Sequence, residues 1–136
     1  MANPQGSRSN MSKSLNTTNL TKSTPPRVPF VAIKDKILGQ SYELSLVFAT
    51  SAMSRKLNRQ HRGKDYATNI LSFPLDKKTG EIFLDLNQSW KDAPMFDMNY
   101  TKFVKFLFIH GCLHLKGMQH SSTMEKQEQK FLKLFS

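Results

Sequence analysis

Between Val28 and the end of the chain the spacing of apolar residues changes several times, and each change marks an element. Pro29-Phe30-Val31-Ala32-Ile33 through Leu38, stopped at Gly39, has the pattern of a short helix with a glycine end. Glu43–Phe48 alternates, with Leu44, Leu46 and Phe48 on one face, and reads as a strand. Thr50 or Ser51 offers a cap for a helix reaching about Gln60 or Arg62. A second strand covers Ile70–Phe73 and is closed by Pro74. The turn residues of Asp76–Gly80 lead into a third strand, Glu81–Leu86. A loop around Asp92-Ala93-Pro94 precedes a long helix from about Asn99 to Lys116, ended at Gly117. Ser122-Thr123-Met124-Glu125 has the form of a capping box for a last helix that carries Phe131, Leu132 and Phe135. No internal repeat is visible. The expectation is an α+β domain, a small mixed β-sheet covered by helices, over residues 27–136.

Residues 1–26 differ in kind. They are rich in Ser, Thr and Asn, end in Pro-Pro and hold too few apolar side chains to offset the entropy of ordering them. They read as a disordered basic tail. Their basic, acid-free composition also fits an organellar transit peptide, but no amphipathic arginine-bearing helix accompanies it.

At 136 residues the chain has room for one core. The longest apolar stretch, Phe103–Ile109, is interrupted by Lys105 and is far too short to span a bilayer. Cys112 is the single cysteine, so no internal disulfide forms, and a reduced cytoplasmic setting without a membrane is the expectation. The net charge of +10 points towards polyanions, because a basic surface concentrates them and speeds their capture.

The strongest chemical signal is His110-Gly111-Cys112-Leu113-His114-Leu115-Lys116-Gly117-Met118-Gln119-His120. On a helix, residues four apart lie about 40° apart around the axis and roughly 6 Å along it, so two imidazoles meet one ion from the same face. Gly117 lets the chain leave the helix and swing the third ring round. Three neutral imidazoles leave one tetrahedral position open, as in a catalytic zinc site. Cys112 points roughly 200° from His110 on the helical wheel and makes a poor ligand. His110, His114 and His120 are therefore the expected ligands of one Zn2+ ion in a zincin-like domain. Zinc peptidases carry a glutamate base immediately after the first histidine, whereas this chain has Gly111, which speaks against peptide hydrolysis.

A second signal lies upstream. Arg55, Lys56, Arg59, Arg62 and Lys64 put five cations into ten residues. On a helix Arg55, Arg59 and Arg62 fall within about 60° of one another, with Met53 and Leu57 opposite, giving a basic stripe backed by an apolar one. Such a stripe is often only a solvated face. Beside an open metal position it suits a phosphodiester, since a guanidinium stabilises charge growing on phosphate.

The segments Leu57-Asn58-Arg59-Gln60-His61-Arg62-Gly63-Lys64-Asp65, Thr68-Asn69-Ile70-Leu71-Ser72-Phe73-Pro74, Gly80-Glu81-Ile82 and the histidine run resemble the motifs of the YbeY family of rRNA maturation factors. The similarity runs in order from about Glu43 to Phe135. It implies a metal-dependent, single-strand-specific endoribonuclease acting in small-subunit rRNA end maturation and ribosome quality control, with rRNA and small-subunit ribosomal proteins as partners. The family's zinc histidines fall on His110, His114 and His120, and its functional arginine falls on Arg62, here expected to be catalytic. Arg55, Arg59, Arg62 and Lys64 are the expected RNA contacts, and Ser72-Phe73-Pro74 is expected to shape the cleft wall. Two positions depart from the family pattern: Gln119 replaces an acid before the third histidine, and Met118 replaces an aromatic. Losing a carboxylate that orients a ligand lowers metal affinity about tenfold or more. The rival readings are a ribosome-assembly factor whose zinc is only a staple, and a metallopeptidase.

Overall fold

A computed structural model describes residues 14–136. A four-stranded sheet in the order β1-β2-β4-β3 forms its centre, built from β1 (Leu15–Asn19), β2 (Glu43–Ala49), β3 (Ile70–Asp76) and β4 (Thr79–Asp85). The first three neighbours run parallel, and β3 closes the sheet as an antiparallel edge hairpin with β4. Among the described residues five α-helices complete the fold: α1 (Phe30–Leu38), α2 (Ser51–Arg62), α3 (Leu86–Asp92), α4 (Tyr100–Leu115) and α5 (Ser122–Leu134). The architecture is the expected mixed sheet covered by helices.

The core forms where α4 crosses the sheet. Phe103, Val104, Leu107, Phe108, Ile109, Cys112 and Leu113 are buried around nearly the whole circumference of α4, which packs on α1, α5, β3 and β4. It meets the β4 face that carries Ile82 and Leu84, both fully buried. Helix α2 lies against β3 and β4, where Phe73 and Phe83 contact each other edge to face and His61 lies over Phe73.

Three expectations need correction. The segment 1–26 is not a uniform disordered tail. Leu15–Asn19 is a strand pairing with β2, Leu15 is buried, and the Asn19 side chain accepts from Thr21 N–H at 2.9 Å and donates to Ser23 O at 2.8 Å. A sheet edge supplies backbone hydrogen bonds that make up for a shortage of apolar side chains, and composition does not register them. The domain therefore begins before residue 27; the part of that expectation covering residues 1–13 lies outside the described residues. Secondly, β3 passes through Pro74 to Asp76, because an edge strand with a bulge tolerates a missing N–H. Thirdly, the stretch after β4 is no plain loop: α3 and a short 3-10 turn, Ala93–Phe96, occupy it. Asp85 caps α3 by accepting from Gln88 N–H.

Smaller shifts follow the same logic. Thr50 and Asn99 cap α2 and α4, their side chains accepting from Met53 and Lys102 N–H. The cap of α5 is Ser121, one residue earlier than the Ser122 box, and its hydroxyl accepts from Met124 N–H. In α2 the buried positions are the polar pair Ser54 and Asn58, while Met53 and Leu57 are only half-buried.

Candidate metal centre

His110 and His114 sit one turn apart near the end of α4, and both rings reach the same side. The helix closes with Gly117 N–H on His114 O and Met118 N–H on Leu113 O. Gly117 has a φ of 107°, a conformation that a residue with a β-carbon rarely adopts, and it turns the chain sharply enough to bring His120 back over the helix. The ligand nitrogens of the three histidines all lie within 4.8 Å of one another, and ring centroids are 4.4, 4.7 and 5.1 Å apart.

Hydrogen bonds settle which nitrogens face inward. His110 Nδ1 contacts a carboxylate oxygen of Glu128, and His114 Nδ1 lies 3.0 Å from the Met118 carbonyl oxygen. Both oxygens accept, so each Nδ1 carries the proton and each Nε2 presents a lone pair. Those two Nε2 atoms are 3.0 Å apart. Two lone pairs at that distance repel unless they share a cation, so this donor set fits a divalent metal ion. Burial, and then the neighbouring His110, hold the His114 pKa below its ordinary 6.5. That keeps its lone pair available.

The residues between the ligands are excluded from the site for steric and chemical reasons. A β-carbon on Gly111 would lie 2.9 Å from both Ile70 Cδ1 and Ser72 Oγ and 3.0 Å from Ile82 Cδ1. The glycine is what lets α4 settle on β3 and β4, and a glutamate has no space there. Cys112 is fully buried on the far side, and burial pushes its thiol far above the ordinary range. It is not a ligand candidate.

A cavity of about 630 Å³ opens beside the histidines. Its walls are the three imidazoles, the β3 edge including Ser72-Phe73-Pro74, and His61 and Arg62 from the end of α2. Buried polar contacts hold that end in place. Ser54 Oγ donates to Thr68 O and accepts from Thr68 N–H, both at 3.0 Å, and Asn58 Nδ2 donates to Tyr66 O at 2.9 Å. The asparagine of the Leu57–Asp65 motif is thus a staple for the loop between α2 and β3.

The basic stripe divides. Arg62 lines the cavity, and its side chain makes no hydrogen bond or ion pair among the described residues. Arg55 instead donates to Asp65 through Nε at 2.9 Å and through an NH2 group at 3.2 Å, and Arg59 lies 3.7 Å from the same carboxylate. Those bonds, Arg55's first, hold the Asp65 carboxyl below its usual range. Arg55, Arg59 and Lys64 do not line the cavity.

Two residues without an assigned role in the sequence reading belong to the site. His61 faces the cavity with its ring on Phe73. Glu128 is buried and touches a ligand histidine from eighteen residues away in sequence. The signal for it was present: Met124, Glu128, Phe131 and Leu132 share the buried face of α5, and a carboxylate in such a row needs a partner. Glu128 also answers the question raised by Gln119, which is exposed. The carboxylate that orients a ligand comes from the last helix.

Comparison with known proteins agrees with this geometry. The family described as Endoribonuclease YbeY matches residues 8–135, a span that begins well before Glu43. The chain is 33% identical over 100 residues to "Endoribonuclease YbeY" of Alkaliphilus metalliredigens, covering 65% of this chain and 64% of that protein. It is 31% identical over 113 residues to the protein of the same description in Helicobacter pylori strain Shi470, covering 79% and 81%. The fold matches the solution structure of TM1509 from Thermotoga maritima with a TM-score of 0.63 at 22% identity, over 88% of this chain and 87% of that one.

Proposed function

The chain belongs to the YbeY family of endoribonucleases, and from that premise we propose that it is a zinc-dependent nuclease cutting single-stranded RNA during maturation of the small-subunit rRNA end and in ribosome quality control. One observation carries the reading: three imidazoles converge on a cavity whose opposite wall is an unpaired guanidinium. His110, His114 and His120 would hold the ion, and zinc suits three neutral imidazoles with a place left for a reactant. When bound, such an ion supplies Lewis acidity to a phosphoryl oxygen and lowers the pKa of an attacking water or ribose hydroxyl.

The chain's own residues account for the rest. Arg62 donates to phosphate oxygens and stabilises the charge that grows on them as the bond breaks. Arg55, Arg59 and Lys64 lie outside the cavity and act as a wider basic field that draws RNA in. Arg55 and Arg59 share Asp65, which weakens that role. The β3 edge, with Ser72-Phe73-Pro74, forms the wall along which the strand lies in this reading. Glu128 and the Met118 carbonyl keep two ligand rings from turning. The partners in this reading are rRNA and small-subunit ribosomal proteins, and the setting is the cytoplasm. No helix among the described residues is long and apolar enough to cross a membrane.

The test pairs elemental analysis with cleavage of matched single-stranded and duplex RNA by wild type, His114→Ala and Arg62→Glu. Wild type is expected to carry one ion and to cut the single strand. His114→Ala should lose both properties, and Arg62→Glu should keep the ion while cleavage falls on the order of 10²–10³-fold. Cleavage persisting in both variants would overturn the proposal. Whether the products end in a cyclic or a plain phosphate distinguishes attack by the ribose 2′-hydroxyl from attack by water.

A further inference from the structure

The histidine cluster separates two cavities of opposite character. The larger one carries His61 and Arg62. The second, about 330 Å³, lies on the other side of His110 and His120 and is lined by Phe96, Phe106, Ser121, Glu125 and Glu128. Asn69 and Ile70 border both.

The second cavity has an aromatic floor. Phe96 is 51% exposed although its ring stacks on Phe103 at 4.9 Å, so one broad side stays open to solvent. Phe103 and Phe106 are nearly parallel at 6.2 Å, and Phe106 lies 6.2 Å from the His110 ring at a 32° tilt. The result is a run of rings ending at the His110 imidazole. Asp97, directly after Phe96, has a φ of 54°, the one non-glycine residue with positive φ among the described residues. That backbone turn aims the chain so that Phe96 comes over α4.

Charge sorts what each cavity can accept. A phosphate is attracted to Arg62 and repelled by the exposed carboxylate of Glu125. A neutral flat ring suits the aromatic side, and a volume of about 330 Å³ sits at the small end of ligand pockets, roughly 300–1,000 Å³. We propose that this second cavity is a stacking pocket for the unpaired nucleobase next to the scissile phosphate. The phosphodiester itself lies on the Arg62 side. The pocket rests on the nuclease reading above and adds a specificity element to it. Carboxylates only accept hydrogen bonds, so Glu125 favours an exocyclic amino group, as in cytosine, adenine or guanine, and is repelled by the two carbonyl oxygens that flank the single N–H of uracil.

The test is rapid-mixing fluorescence with short single-stranded RNAs in which one 2-aminopurine is moved along the strand, using metal-loaded wild type, Phe96→Ala and Phe96→Trp. Stacking should quench one position in wild type and in Phe96→Trp. In Phe96→Ala the quench should disappear and RNA binding weaken roughly tenfold or more, with metal content unchanged. Cleavage-site mapping should show uridine disfavoured at that position, a bias that Glu125→Gln reduces. Quenching and base preference that survive in Phe96→Ala would overturn the pocket while leaving the nuclease reading intact. A metal-loaded wild type that quenches the probe but cuts no RNA would overturn the nuclease reading and retain the base site. Failure to bind the probe at all would overturn the pocket.

Discussion

The two walls of the main cavity are built in opposite ways. On the α4 wall, His110 and His114 are partly buried, each Nδ1 is tied to an acceptor, and the backbone beneath them is pressed against the sheet at Gly111. On the α2 wall, Arg62 and His61 are exposed; the backbone that carries them is stapled through Ser54 and Asn58, His61 rests only on the Phe73 ring, and the Arg62 side chain has no partner among the described residues. The difference follows from what each wall must hold. A small cation demands fixed donor positions, and a misplaced ring forfeits a whole ligand. A phosphate on a flexible strand is met well by a long side chain that moves with it. The α4 wall is preorganised, and the α2 wall adapts.

Three measurements break or sharpen that contrast. The largest effect is expected from Glu128→Ala, which frees the His110 ring. Metal affinity by competition with a chelator should fall about 10–100-fold, whereas Arg62→Ala leaves it unchanged. Glu128→Gln should recover part of the loss, because its amide oxygen still accepts. Equal affinities for wild type and Glu128→Ala would mean that the α4 wall owes nothing to α5.

Next in size is Gly111→Ala. Alanine is the better helix former by about 1 kcal/mol. The new methyl would meet Ile70 and Ile82, and overpacking typically costs about 1–3 kcal/mol. The collision should win, lowering the midpoint of thermal unfolding. A rise would show that α4 is not seated as closely as these contacts require.

The smallest effect concerns pH in the metal-free protein. Burial and His110 depress the native pKa of His114, so the unfolded chain takes up a proton near the ordinary 6.5 that the native ring resists. The stability this represents is fully present above 6.5. It is lost as pH falls from there towards the depressed native value and changes no further below it. Urea unfolding at neutral and mildly acidic pH should show a steeper acid loss in wild type than in His114→Gln. Parallel curves would contradict the sign.

Much of the α4 wall was legible along the chain, because its ligands are local. Histidines four apart on one apolar helix, followed by a glycine and a third histidine, meet through helix geometry and one turn. The same locality made the cap at Thr50 and the start of α4 near Asn99 readable. Glu128 was not legible as a partner of His110, since nothing within α5 says which helix its buried face meets. The stripe on α2 was legible as a pattern, but not its division. Asp65 reaches back to Arg55 and Arg59 only once Gly63 has turned the chain, and Arg62 alone is left on the cavity wall. Strand β1 escaped composition, because its order comes mainly from a neighbour's hydrogen bonds, with Leu15 the one residue of the strand that is buried.

By itself, then, the order of residues determined α1, α2, α4 and α5, the three imidazoles that converge and the basic stripe along α2, each a relation spanning a turn or two of chain. Only the tertiary structure decided which carboxylate braces a ligand, which arginine is left unpaired and where an open aromatic ring meets the site. Those depend on surfaces far apart in sequence being buried against each other, and their energy exists only after they meet.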